Sequence, residues 1–161
     1  MKIASWNVNS IKARLEHVLN YCQNSSMDVL LMQEIKTLDE NFPKNSFEDI
    51  GWQVVTHGQK TYNGVAIASK KDIEVTQIGL PGDDEDEQAR YIEAQIEGIT
   101  LASIYLPNGN PFPGPKFEYK LAWMDRLYDR AKNLFHQEIP VVLGGDFNVI
   151  PQPIDCYEPS L

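Results

Sequence analysis

Eight apolar runs of strand length, separated by turn signals, constrain this chain more than any other feature of its sequence. They are KIASWNV (2–8), DVLLMQ (28–33), WQVVTH (52–57), GVAIAS (64–69), IEVTQI (73–78), YIEAQIE (91–97), ITLASIY (99–105) and VVLGG (141–145). Alternating or continuous apolar runs of this length read as half-buried or fully buried strands. Helical spacing appears only twice. Ile11, Leu15, Val18, Leu19 and Cys22 share one face, and Phe117, Leu121, Met124, Tyr128, Ala131 and Phe135 share another, so both stripes are expected to face the core. The order of strand, helix, strand, a meander of strands, then helix and strand predicts an α/β domain with a mixed β-sheet and flanking helices. A hairpin is expected about Glu97 and Gly98, and PNGNPFPGPK (107–116), with its four prolines, reads as a loop.

Composition narrows the classes without choosing among them. At 161 residues and 42% hydrophobic content the chain can bury a substantial core as one domain. It holds no apolar run long enough to cross a membrane, and its first residues lack the pattern of a secretory signal, so the expected location is cytoplasmic and no membrane partner is expected. Cys22 and Cys156 have no metal-type spacing and read as reduced thiols. A net charge of -9 argues against a polyanionic partner, but five of the acids lie together in GDDEDEQ (Asp83, Asp84, Glu85, Asp86, Glu87), which reads as a solvated loop.

The chemistry lies at the strand ends. The first strand leads into Asn7 and Asn9, the second into Glu34, LASIY into Tyr105, and the last into Asp146 and Asn148. All four place polar groups at the carboxyl end, where ligand crevices form in open α/β sheets. Carboxylates, amides and a phenol, with no cluster of thiols or imidazoles, select a hard cation such as Mg²⁺ or Mn²⁺ over zinc. That ligand set suits phosphoryl transfer or phosphodiester hydrolysis. Each residue has a plainer reading too: Glu34 as a capping group or as the ion-pair partner of Lys36, Asp146 with Asn148 as an Asx turn, and Tyr105 as a core-edge phenol.

SWNVNSIKAR, LLMQEIK, HGQKTYNGVAIASK, GLPGDDEDEQARYIEA, SIYLPNG and VVLGGDFNVIP resemble, in order and spacing, the successive motifs of the exonuclease III family of abasic-site endonucleases, within the endonuclease/exonuclease/phosphatase superfamily. The resemblance implies part of a four-layer α/β/β/α sandwich of the deoxyribonuclease I type. It implies a Mg²⁺- or Mn²⁺-dependent DNA-repair nuclease that incises duplex DNA 5′ to abasic sites and removes nucleotides from 3′ ends. Residue by residue, it makes Glu34 a metal ligand with Asn7 beside it, Asn9 an outer-shell residue and Lys36 its orienting partner. It makes Tyr105, Asp146 and Asn148 the catalytic groups and brings Arg90 to the DNA backbone. The family's second half carries a further metal-binding Asp beside a histidine, and this chain contains no Asp-His dipeptide. The resemblance therefore implies one C-terminally truncated domain over 1–161 with an exposed sheet face open to self-association. Its activity would be weakened, or it would be a catalytically dead remnant that at most binds DNA or a partner.

Overall fold

Each of the eight apolar runs forms a strand in the computed structural model, which describes residues 1–157. The strands are β1 (Ile3–Asn7), β2 (Val29–Gln33), β3 (Gln53–His57), β4 (Val65–Ser69), β5 (Glu74–Ile78), β6 (Tyr91–Ile96), β7 (Ile99–Tyr105) and β8 (Val141–Asp146). They assemble into two four-stranded sheets, ordered β1-β2-β4-β3 and β5-β6-β7-β8. Each sheet is mixed: β1 runs parallel to β2 and β7 parallel to β8, and the remaining neighbours are antiparallel. The β6–β7 hairpin turns at Glu97 and Gly98, both at positive φ, as the turn residues indicate.

The sheets pack face to face through Val29, Leu31, Val65 and Ile67 on one side and Ile92, Ala94, Ile96 and Leu101 on the other. Outside the first sheet, helix α1 (Ile11–Asn24) buries Ile11, Val18 and Cys22 against Leu30, Met32, Ala66 and Ala68. The Ser10 hydroxyl accepts a hydrogen bond from the Ala13 amide at its N-terminus. Outside the second sheet lies helix α3 (Pro115–Phe135). The result is four layers, helix on sheet on sheet on helix. One short helix, α2 (Lys44–Glu48), escaped the periodicity reading, because five residues cannot display a helical stripe. No helix among the described residues is long and apolar enough to cross a membrane.

Three expectations need correction. The apolar stripe of α3 does not face the core: Leu121, Met124, Tyr128 and Phe135 are exposed. The helix instead turns Tyr119, Trp123, Leu127 and Leu134 inward, with Arg126 and Arg130 on the same side. Two arginines reach the core face because carboxylates lie beneath them, Glu93 on β6 and Asp86 in the loop that precedes it. Arg130 grips the buried Glu93 through both oxygens at 2.7–3.0 Å, and Tyr91 and Thr76 donate to the same carboxylate at 2.6 and 2.7 Å. Second, the acidic loop is not wholly solvated, since the Asp86 side chain is buried against Arg126 and Tyr119. Third, the inner faces of the two sheets cover one another; among the described residues, apolar surface left open includes the edge strand β8, half-buried throughout, the outer stripe of α3, and Val149, Ile150 and Ile154 after β8.

Candidate active site

Two parallel strand pairs end side by side, one in each sheet, and their ends create the site. In the first sheet Asn7 pairs in register with Gln33, which places Glu34 one residue further along. In the second, Tyr105 pairs with Asp146. Asn7 then bridges the sheets: its Nδ2 donates to Glu34 Oε1 and to Asp146 Oδ2, both at 2.8 Å. One amide thus holds two carboxylates, which lie 112 residues apart in sequence (146 - 34), on a common centre. Its own oxygen accepts the backbone N–H of Asn9 at 3.0 Å.

Beneath this centre a buried polar contact ties the sheets together. Gln33 Nε2 donates to Ser103 Oγ at 3.1 Å, and that hydroxyl donates to the Met32 carbonyl at 2.9 Å. Crowding from two directions explains the paired glycines of β8: the neighbouring strand β7 lies against Gly145 and the facing sheet against Gly144. A Cβ on Gly145 would stand 2.0 Å from the Ile104 carbonyl oxygen, and one on Gly144 would stand 2.7 Å from Leu31 Cδ1. Leu31 can shift, whereas the β7 backbone cannot. Gly145→Ala is therefore expected to destabilise the fold by about 1–3 kcal/mol, a cost of the order found for overpacking, measurable by denaturant unfolding. Gly144→Ala is expected to cost less.

The local backbone is strained where the polar groups sit. Asn9, Ser10, Glu34, Lys36 and Asn148 all have positive φ. Asparagine tolerates that region through its short side chain, but glutamate and lysine enter it at a cost of order 1–3 kcal/mol each. Strain of this kind clusters at functional sites. Lys36 Nζ lies 2.8 Å from Glu34 Oε2 and donates to Asn9 Oδ1 at 2.5 Å. Burial pushes the Glu34 carboxyl up, but hydrogen bonds from Asn7, Lys36 and Tyr105 outweigh it, so the group lies below its ordinary value and is ionised at neutral pH.

Tyr105 shows the opposite response. Burial, followed by its hydrogen bond to Glu34 and the charge of that carboxylate, pushes its phenol up to about 12. The hydroxyl consequently keeps its proton across the physiological range. An ultraviolet titration comparing the chain with Tyr105→Phe is expected to lose one tyrosine ionising near pH 12. Arg90 stacks on the ring, its Cζ 4.8 Å from the centroid, and donates from Nη1 to the Tyr105 carbonyl at 3.3 Å. Its Nε bonds the Gln88 side chain at 2.7 Å, while the ion pairs of the acidic loop run to Arg126.

Asp146 and Asn148 do form an Asx turn, with the Asn148 amide donating to Asp146 Oδ1 at 3.0 Å. The turn leaves the other Asp146 oxygen to Asn7, so the plain reading and the functional one coexist. Asn148 is fixed further by its Nδ2 bond to the Leu106 carbonyl at 2.7 Å and by Lys120 Nζ, 2.7 Å from its own carbonyl. The structure brings together Asn7, Asn9, Glu34, Lys36, Tyr105, Asp146 and Asn148, with Arg90 on the Tyr105 side. Sequence reasoning missed Lys120, which sits inside a helix with no local signal, and Gln59 and Asn63, although HGQKTYNG contains both. Gln59, Tyr62, Asn63, Arg90, Asn108 and Lys116 line an open cleft of about 490 Å³ beside Tyr105.

The model of the endonuclease/exonuclease/phosphatase family matches residues 4–160, nearly the whole chain. The chain belongs to that family. Within it, the chain is 32% identical over 163 residues to an exodeoxyribonuclease III of Haemophilus influenzae, covering 96% of this chain and 60% of that protein. Among solved structures, a 3′-5′ exonuclease from Neisseria meningitidis superposes with a TM-score of 0.94 at 39% identity. An AP endonuclease from Archaeoglobus fulgidus superposes at 0.87 and 40% identity. Both matches cover 99% of this chain and 62% of the other. The chain thus spans about three fifths of the length of the relatives it matches. The four-layer fold and the exonuclease III resemblance expected from the motifs agree with these findings.

The donor set also fits a divalent cation. Glu34 supplies a hard anionic oxygen and Asn7 beside it an amide, oxygen-donor chemistry of the kind a divalent cation takes.

Proposed function

We propose that this chain carries the strand-end site of a metal-dependent DNA-repair phosphodiesterase of the exonuclease III type, with duplex DNA bearing abasic sites or 3′ ends as its substrate. The observation that carries the reading is the Asn7 clamp, which sets Glu34 and Asp146 on one centre with Tyr105 and Asn148 at its rim.

Asp146 accepts the proton of the attacking water. The water oxygen bonds to phosphorus as the bond to the 3′ oxygen breaks, and that oxygen leaves as a hydroxyl after taking a proton from solvent. Asn148, locked by its Asx turn and by Leu106, is placed to orient the phosphate and the water. On releasing Glu34, to which it donates in this structure, the protonated Tyr105 phenol donates toward phosphate oxygen, where charge grows in the transition state. Glu34 and Asn7 are the residues that would hold Mg²⁺ or Mn²⁺, Asn7 through its oxygen once the amide turns over, with Lys36 and Asn9 fixing Glu34 from outside. When bound, the cation supplies neutralisation of phosphate charge. Arg90, Lys116 and Lys120 stand along the cleft beside this centre, a local basic edge on a chain of net charge -9 that suits a phosphate backbone. A missing base lowers the cost of turning the damaged nucleotide out of the stack.

The test is an end-labelled duplex containing one abasic-site analogue, incubated with the 161-residue chain. Cleavage 5′ to the analogue with Mg²⁺, leaving a 3′-hydroxyl end and stopping in EDTA, is the expected result. No cleavage at protein in excess over DNA would refute the reading.

A further inference from the structure

Asp86 is the buried member of an otherwise exposed acidic run, and its contacts lead toward the site rather than away from it. Its carboxylate pairs with Arg126 and accepts the Tyr119 hydroxyl at 3.0 Å, both from α3. It also accepts the backbone N–H of Gln88 at 3.1 Å. The Gln88 side-chain oxygen in turn accepts Arg90 Nε at 2.7 Å, and Arg90 lies over the Tyr105 ring. From α3 to the phenol, every link is a contact between neighbours along this path. The side chain of Asp86 is 8% exposed and that of Arg126 13%, so solvent screens their attraction little.

The segment from Gly82 to Arg90 has no regular secondary structure of its own. Its path is set chiefly by anchors at two points, with the exposed Asp83 adding a looser contact to Arg126 at 3.9 Å. One is the Asp86 contact with α3. The other lies at Ala89, whose amide donates to Gln59 Oε1 at 3.0 Å and whose carbonyl accepts the Gly64 amide at 2.8 Å. Gln88 lies between the two anchors, with its side chain directed to Arg90. Without the first anchor, Gln88 would be held only through Ala89 and the 3.5 Å contact from Asn63 Nδ2, and Arg90 would keep its stacking on Tyr105 and its 3.3 Å bond to the Tyr105 carbonyl but lose the shorter bond that fixes its Nε.

We propose that Asp86 is a positioning residue: by pinning the Gly82–Arg90 segment to α3 it orients Gln88, and through Gln88 it holds the Arg90 guanidinium over Tyr105 at the wall of the cleft. It touches no substrate and acts only through Arg90. The inference rests on the nuclease reading for its kinetic consequence, but not for its structural one.

The experiment is a double-mutant cycle on the full chain between Asp86→Ala and Arg90→Met, read as kcat/KM for cleavage of the abasic-analogue duplex. Asp86→Ala alone is expected to lower it about 10- to 100-fold, the scale of a misplaced positioning group. In the Arg90→Met background the same change is expected to cost less than about twofold, because its route to the site is already gone. Equal losses in both backgrounds would overturn the proposal and leave Asp86 a plain structural residue. Because Asp86→Ala strands a largely buried cation, Asp86→Ala with Arg126→Met is run beside it. That pair is expected to restore the melting temperature without restoring kcat/KM, and recovery of both would count against the proposal. A second readout does not require cleavage: exchange of the Arg90 Nε proton with solvent, followed by NMR. It is expected to speed up at least tenfold in Asp86→Ala/Arg126→Met, and unchanged exchange would overturn the proposal. If the unaltered chain cleaves nothing, the nuclease reading fails, and proton exchange alone decides the role of Asp86.

Discussion

Asp146→Asn is expected to lower cleavage of the abasic-analogue duplex by about a thousandfold or more, with little change in KM. Loss of a general base costs about 10²–10⁴ in rate, and members of one catalytic unit fail together rather than additively. The substitution is close to isosteric. Its amide oxygen can still accept the Asn148 backbone N–H, and the turn after β8 therefore survives. What disappears is a negative charge and a proton acceptor 2.8 Å from the Asn7 amide. Stability should fall by about 1–3 kcal/mol, because the new side chain turns an amide nitrogen toward the Asn7 Nδ2 donor and leaves that contact unmade. Affinity for duplex DNA should hold or rise, because a carboxylate beside a phosphate opposes binding. A variant retaining a tenth of the original rate would remove Asp146 from the mechanism.

Arg130→Met is expected to destabilise the chain by about 3–5 kcal/mol, the range for breaking a buried ion pair on one side. The reason lies in what is left behind. Glu93 is 1% exposed in the middle of β6, and three of its hydrogen bonds come from the Arg130 guanidinium. Burial pushes the Glu93 carboxyl up, yet Arg130, Tyr91 and Thr76 together hold it below its ordinary value. A carboxylate depressed in this way stabilises the folded state at pH above its unfolded value of about 4.3 and loses that contribution as pH falls through the folded value. The original chain should therefore weaken steeply in acid below about pH 4. In Arg130→Met the orphaned carboxyl should instead favour protonation, making the variant relatively more stable as pH is lowered toward 5. Denaturant midpoints across that range separate the two behaviours. Removing both partners, as Glu93→Gln with Arg130→Met, should recover much of the loss.

The strands, and the candidate residues at their carboxyl ends, were legible for one physical reason. A buried strand is a short apolar run, and a polar group at its carboxyl end interrupts that run visibly. Asn7, Glu34, Tyr105 and Asp146 each stand at such an interruption, and parallel pairing of β1 with β2 and of β7 with β8 brings the ends together. The face of α3 was illegible for the converse reason. Its core side carries Arg126 and Arg130, which hydrophobic periodicity assigns to solvent, and only the positions of Asp86 and Glu93 in three dimensions reverse that assignment. Asp86 was hidden in a run of acids whose composition describes a solvated loop. The clamp made by Asn7 was also invisible, because a contact across 139 residues leaves no local trace. Lys120 belongs with these: only the fold carries its ammonium to the Asn148 carbonyl.

Cleavage of the abasic-analogue duplex in ¹⁸O-labelled water, with mass analysis of both fragments, tests the central claim most directly. If water activated at Asp146 attacks phosphorus, one labelled oxygen enters the 5′-phosphate of the downstream fragment and none enters the 3′-hydroxyl of the upstream one. An unlabelled phosphate, or no cleavage at all, would contradict a hydrolytic site at the ends of β1, β2, β7 and β8.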